Sequence, residues 1–132
     1  MGTRATSTFT IDSWHEENYD ENEGATLSRT TVTKTFTGDL VGTSSAELLM
    51  ARGRVEGSAA YVGFERISGR LHDRDGGFVL HHTATGSAGE QSASWTVVPD
   101  TGTGDLTGIR GSATITVAPD GGHTFVLDYT VE

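Results

Sequence analysis

One carboxylate sits where a side chain of its kind is expensive. Tyr61, Gly63, Glu65, Ile67, Gly69 and Leu71 fall two apart. In a strand they share one face, and Glu65 is the charged member of an otherwise apolar row. Taking a carboxylate out of water is costly unless it is paired or hydrogen-bonded, so Glu65 requires a raised pKa or a partner close by. His82, which shares its face with Phe78 and Leu80, and Tyr61 are the candidate partners. Both apolar rows want the interior, so their polar members are carried inside with them. A bulge at Gly63 would break that parity. Walled by apolar side chains, such a centre could receive a small ligand, or Glu65 or His82 could position a proton or polarise a group in a reacting one. The plainer alternative is a structural hydrogen bond inside a barrel. Trp14 and Tyr129 are candidate walls, Tyr129 as a member of the row Phe125, Leu127, Tyr129 and Val131. The candidate ligand-binding set is therefore Trp14, Tyr61, Glu65, His82 and Tyr129, with Glu65 and His82 the candidates for catalysis.

Other chemistry has less support. His81 and His82 resemble a metal pair, but adjacent strand residues point to opposite faces. His15, His72 and His123 have no ligand spacing with each other, so no metal site is expected. Gly102-Thr103-Gly104 with Gly108 resembles a phosphate-cradling run, but without a preceding buried parallel strand or a following helix it reads as a hairpin loop. There is no Gly-x-Ser-x-Gly elbow, no His-Glu-x-x-His and no cofactor motif. The acidic run Glu16 to Glu23 reads as a solvated loop, and it lacks the ligand spacing of a calcium loop.

The absence of cysteine excludes disulfides, zinc–thiolate sites and thiol catalysis, and fits a reducing cytoplasm. Nine basic residues against 18 acidic ones leave a net charge of −9. A nucleic-acid partner or an anionic membrane surface is therefore not expected. No window approaches the roughly 20 apolar residues of a membrane span. The first residues lack the layout of a secretory signal, although Met1-Gly2 with Thr6 fits the loose N-myristoylation pattern.

The elements that must position these residues are strands. Thr37-Gly38-Asp39-Leu40-Val41-Gly42 recurs as Thr103-Gly104-Asp105-Leu106-Thr107-Gly108, which marks two chain reversals, since glycine supplies positive φ and Asp can bond its own turn. With 132 residues, 18 of them Gly and 34% hydrophobic, a single domain over residues 1–132 is expected. Period-two alternation predicts eight strands: Thr6 to Glu16, Leu27 to Thr37, Val41 to Ala51, Ala59 to Leu71, Phe78 to Thr85, Gln91 to Val98, Ile109 to Val117 and His123 to Val131. Asp73 to Gly77 is predicted as a turn. Ser45 to Met50 could begin a helix, but its flanks favour strand. Eight consecutive strands on short turns are most economically an all-β, up-and-down antiparallel barrel, with a two-sheet sandwich as the alternative.

In order along the chain stand Trp14, Gly38-Asp39-Leu40-x-Gly42, Tyr61-Val62-Gly63-Phe64-Glu65-Arg66-x-x-Gly69-Arg70-Leu71, Gly77-Phe78-Val79-Leu80-x-His82 and Gly102-Thr103-Gly104-x-Leu106-x-Gly108-x-x-Gly111. This series, spanning Phe9 to Tyr129, resembles the bacterial domain-of-unknown-function family 3224. That family is in turn similar in fold to the allene oxide cyclase barrel. The resemblance implies an eight-stranded antiparallel barrel with an internal cavity. Trp14, Glu65 and His82 match its motif positions, but no role comes with the match. Two functions follow as expectations: binding of a small, largely apolar molecule inside the barrel, or a cyclase or isomerase acting on such a molecule. A structural or assembly role without a ligand is the third. Outer-face threonines and exposed strand ends would also suit a homo-oligomer.

Overall fold

A computed structural model describes residues 2–132, so Met1, the start of the acylation pattern, lies outside the described residues. The strands are β1 (Thr3–Asn22), β2 (Ala25–Gly38), β3 (Leu40–Gly53), β4 (Ala59–Leu71), β5 (Arg74–Ser87), β6 (Glu90–Val97), the two-residue β7 (Thr103–Gly104), β8 (Ile109–Val117) and β9 (His123–Val131). Every pairing is antiparallel. Neighbours pair in the order β4-β3-β2-β1-β9-β8-β6-β5, and a β4–β5 ladder closes the ring. The result is a closed eight-stranded barrel, with β7 a short clip on β5. No helix is formed among the described residues, so none is long and apolar enough to cross a membrane.

Three predicted features differ. The acidic run is strand to Asn22, because β1 and β2 stay paired to the hairpin tip and cations offset the charge. Glu17 pairs with Arg29 in the ladder, and Glu16 takes both ends of the Arg52 guanidinium at 2.5 and 3.2 Å. The turn predicted over Asp73 to Gly77 is confined to His72 and Asp73. His72 adopts φ 55°, so Leu71 already pairs with Arg74. The loop after Pro99 contains the unpredicted β7.

The two Gly-Asp segments are one device used twice. Gly38 (φ 120°) and Gly104 (φ 59°) supply the reversal. The following aspartate then holds both backbone groups of one residue on a neighbouring strand. The Asp39 N–H donates to the Thr6 carbonyl and its carboxylate accepts from the Thr6 N–H. Asp105 treats Asp75 the same way. Leu40 and Leu106, next in each segment, are both buried.

These leucines plug one end of the barrel. They join Phe36, Ile67, Leu71, Phe78, Leu80, Ile109, Phe125 and Leu127 in the main core. A smaller apolar cluster of Val32, Ala46 and Leu48, with Met50 and Tyr61 against it, lies toward the other end. The interior positions between the two clusters on β2 to β5 are polar: Lys34, Ser44, Glu65 and His82, all buried. The barrel interior is thus layered as apolar plug, polar floor and apolar hollow.

Candidate functional site

The floor is built from four adjacent strands by alternation alone. Lys34 lies between Val32 and Phe36 on the inner face of β2, Glu65 between Gly63 and Ile67 on β4, and His82 between Leu80 and Ala84 on β5. The inward row of β3 contributes Ser44. Gly63 introduces no bulge, since Leu48, Gly63 and His82 stay in register across β3, β4 and β5. A Cβ on Gly63 would run into the Glu47 carbonyl oxygen and lie 2.9 Å from Leu48 Cα, so glycine is needed there for the close approach of β3 and β4.

Glu65 is fully buried, and both of its oxygens are engaged. Oε1 accepts from Lys34 Nζ at 3.2 Å and meets His82 Nε2 at 2.8 Å. Oε2 accepts from Ser44 Oγ at 2.5 Å. The Lys34 ammonium also stands 4.5 Å from the centre of the Phe9 ring, a cation–π contact. Burial by itself pushes the Glu65 carboxyl up. The His82 hydrogen bond, the Lys34 charge and the Ser44 hydroxyl outweigh burial and hold the carboxyl at about 2, below its ordinary 4.5. Of the two outcomes open to a carboxylate in an apolar row, this is the paired one, and Glu65 is ionised at neutral pH. Burial also pushes the Tyr61 hydroxyl up.

Above the floor is a hollow of about 180 Å³, walled by Phe9, Ile11, Trp14, Val32, Ala46, Leu48, Met50, Tyr61, Trp95 and Ile115, with Lys34, His82 and His123 as its polar members. A second hollow of about 270 Å³ shares Met50 and Tyr61 and continues past Ala59, Ala84 and Ala93 at the barrel mouth. β9 pairs with β1 only as far as Phe9, so the outer half of β1 stands free on that side and the hollow opens there.

Trp14 reaches this hollow through a defect in β1. The register slips between Ile11 and Ser13, which leaves Asp12 as an extra residue. Strict alternation from Phe9 and Ile11 would turn Trp14 outward. The bulge instead sets Trp14 opposite Val32, on the inner face. The Asp12 carboxylate, accepting from Thr10 at 2.9 Å and from Thr35 at 2.5 Å, holds the bulge.

The structure therefore brings together four of the five candidate residues: Trp14, Tyr61, Glu65 and His82. Tyr61 makes no hydrogen bond to Glu65 and contributes wall, its ring 6.3 Å from that of His82. Tyr129 is not brought to the site. It lies at the plugged end, where its hydroxyl meets His72 Nδ1 at 2.5 Å. Its inward row was read correctly, but a face says nothing about which end of the barrel a residue occupies. Sequence reasoning missed Lys34 and Ser44. Lys34 carried a signal, as a lone charge between Val32 and Phe36 on a threonine-rich strand. Ser44 carried none.

A closed antiparallel barrel, plugged at one end and opening at the other through an apolar hollow onto a buried ion pair, is the class that this fold and site define. Within that class the chain belongs to the DUF3224 family, described as "Protein of unknown function", whose model matches residues 5–129. It is similar to the crystal structure of a protein of unknown function from the DUF3224 family of Shewanella oneidensis MR-1. The two share 34% identity with a TM-score of 0.91, over 100% of this chain and 99% of that one. No curated protein matches.

Proposed function

We propose that the protein binds a small, largely apolar molecule in the open-end hollow. One observation carries the reading: an apolar-walled space of about 180 Å³ stands directly over a buried, hydrogen-bonded ion pair. Binding sites commonly combine apolar walls with a few aimed polar groups. An engineered apolar cavity of about 150 Å³ already accepts benzene, so a ring or a chain of about eight carbons is the appropriate scale. The floor favours binding over the cyclase or isomerase reading. Glu65 is ionised, so it has no proton to donate at neutral pH, and a carboxyl held at about 2 is a weak base. Its neighbours Lys34, Ser44 and His82 are all engaged with it rather than with a nucleophile.

The test is native mass spectrometry of protein purified from its source cells, beside a Leu48→Trp variant that fills the hollow. The expected result is a co-purified small molecule on the wild type and none on the variant. A bare wild-type mass, together with no retention of an added apolar dye, would remove the reading. The homo-oligomer is a second proposal, favoured by Leu49, Val62 and Phe64, which lie exposed together on the outer wall of β3 and β4. Sedimentation of wild type against Phe64→Glu tests it, and identical monomer profiles would dismiss it.

A further inference from the structure

Lys34 is the only lysine of the chain; the rest of its nine lysine and arginine positions are arginine. Among the described residues it is also the only one of those nine that is buried. The paired arginines Arg4, Arg29, Arg52 and Arg110 stand at the surface. A buried pair kept only for structure would favour the reverse. A guanidinium is less strongly hydrated than an ammonium and grips a carboxylate with two parallel N–H donors. What an ammonium offers instead is chemistry: on losing a proton it becomes a primary amine, the side-chain nucleophile that condenses with carbonyl compounds. Lys34 belongs to the wall of the hollow, and no other side chain of that wall carries a primary amine. Ser44, the other nucleophilic group of the floor, is bound to the far oxygen of Glu65 and takes no part in the wall.

Resting on the reading of the hollow as a ligand site, we propose that Lys34 binds an apolar aldehyde there as a protonated imine. The free amine attacks the aldehyde carbon, a C–N bond forms, and the carbonyl oxygen leaves as water. The proton released when the ammonium becomes an amine is the one consumed when the hydroxyl departs. Ammonium and aldehyde thus become iminium and water, with no change of net charge and no oxidant or reductant. The floor already suits the product. An ammonium has three N–H donors, and Lys34 gives one of them to a side chain, Glu65. The iminium keeps a single N–H, which is all that this bond requires. Its positive charge stays beside the Glu65 carboxylate and near the Phe9 ring, where the ammonium stands now. The hydrocarbon body lies against Val32, Leu48 and Met50, side chains that also keep hydrolytic water from the new bond. An aldehyde suits the space better than a ketone, because its iminium carbon carries one hydrocarbon body rather than two.

Octanal and 1-octanol share one chain length, and only the aldehyde can condense, so the two separate the covalent step from the site itself. Native mass spectrometry of the wild type with octanal should show one adduct with the mass of octanal less one water. Borohydride added as the chain is unfolded fixes the imine as a secondary amine, and peptide mapping should then place the octyl group on Lys34. With one lysine in the chain, the N-terminal amine is the internal reference. Leu48→Trp, which fills the hollow, should lower the Lys34 adduct at least about tenfold, because the aldehyde is no longer held beside the amine, and should leave labelling of the N-terminus unchanged. As a control that does not depend on the variant's folding, wild type unfolded in guanidinium should lose the preference for Lys34 over the N-terminus. An adduct with the whole mass of octanal, or an imine confined to the N-terminus, would overturn the proposal. Calorimetric binding of 1-octanol alongside either result would leave the apolar site standing. The same Lys34 preference in the folded and unfolded chain would overturn the proposal too. No adduct with octanal and no binding of 1-octanol would overturn both readings.

Discussion

Glu65→Gln is the most informative single change, because it removes one charge and almost no volume. Its cost is set by what is left behind: a Lys34 ammonium whose side chain is only 9% exposed, with its counter-ion 3.2 Å away now gone. Removing one partner of a buried pair typically costs about 3–5 kcal/mol, since the other charge stays in a poor solvent. The pKa gives an independent figure. A carboxyl lowered from 4.5 to about 2 in the folded protein contributes, at about 1.36 kcal/mol per pH unit, on the order of 3 kcal/mol. The folded value is the depressed one. That stability is therefore fully present above pH 4.5 and is lost as the pH falls toward about 2. Urea unfolding followed by tryptophan fluorescence should show Glu65→Gln less stable by about 3 kcal/mol at neutral pH, with an unchanged denaturant slope. The difference from wild type should shrink across the acid window, because acid does to the wild type what the mutation has already done. Lys34→Met with Glu65→Leu removes both charges and should recover most of the loss. A single-mutant cost below about 1 kcal/mol, the scale of an exposed pair, or a gap from wild type that stays constant down to low pH, would refute the picture of a desolvated, paired carboxylate.

Three further outcomes are expected. Gly38→Ala should destabilise more than Gly24→Ala: both have positive φ, but the new Cβ at Gly38 would lie 2.9 Å from Ser7 Cα and Thr6 O whereas Gly24 faces open space. In chemical denaturation Gly38→Ala should cost about 2 kcal/mol and Gly24→Ala about half that, the scale of backbone strain with and without a clash. Deleting Asp12 removes the extra residue and puts Trp14 two positions after Ile11, so Trp14 should keep the inner face opposite Val32; in a Trp95→Phe background its emission maximum and iodide quenching should be unchanged, and a red shift would refute Asp12 as the bulged residue. Tyr129→Phe should cost about 1 kcal/mol in urea unfolding, one hydrogen bond to His72, and should leave binding of an apolar dye at the open end unaltered.

Alternation made most of the barrel legible. Ala59 to Leu71, Ile109 to Val117 and His123 to Val131 were read to the residue, and the inward rows through Glu65 and His82 followed from parity. What failed had local causes. Glu16 to Asn22 has the composition of a solvated loop, and only its cross-strand partners, Arg29 and Arg52, show that it can pair. The residue count between Ile11 and Trp14 gives no sign that Asp12 drops out of register, so the face of Trp14 was not readable. Tyr129 was given the right face but the wrong end, because the end depends on which strand termini meet around the ring. Lys34 was legible by the same argument that singled out Glu65, and the pair is best read from both partners at once.

The polar floor runs against the economy of the rest of the fold. A barrel of this size can be filled with apolar side chains, as the plugged end shows with Phe36, Phe78, Phe125 and Leu127. Replacing a buried ion pair by well-packed apolar residues is often neutral or stabilising, so Lys34 and Glu65 are weakly explained as devices for stability. Their partners are also arranged asymmetrically. Glu65 is closed off by three hydrogen bonds, whereas Lys34 and His82 also border the side of the floor on which the barrel is left unfilled. A structural cluster would be expected to satisfy its own members inside a packed core. This one leaves the Lys34 ammonium with a single side-chain hydrogen bond at the edge of an unfilled, apolar-walled space, and that asymmetry makes the hollow more consistent with a binding site than with a packing defect.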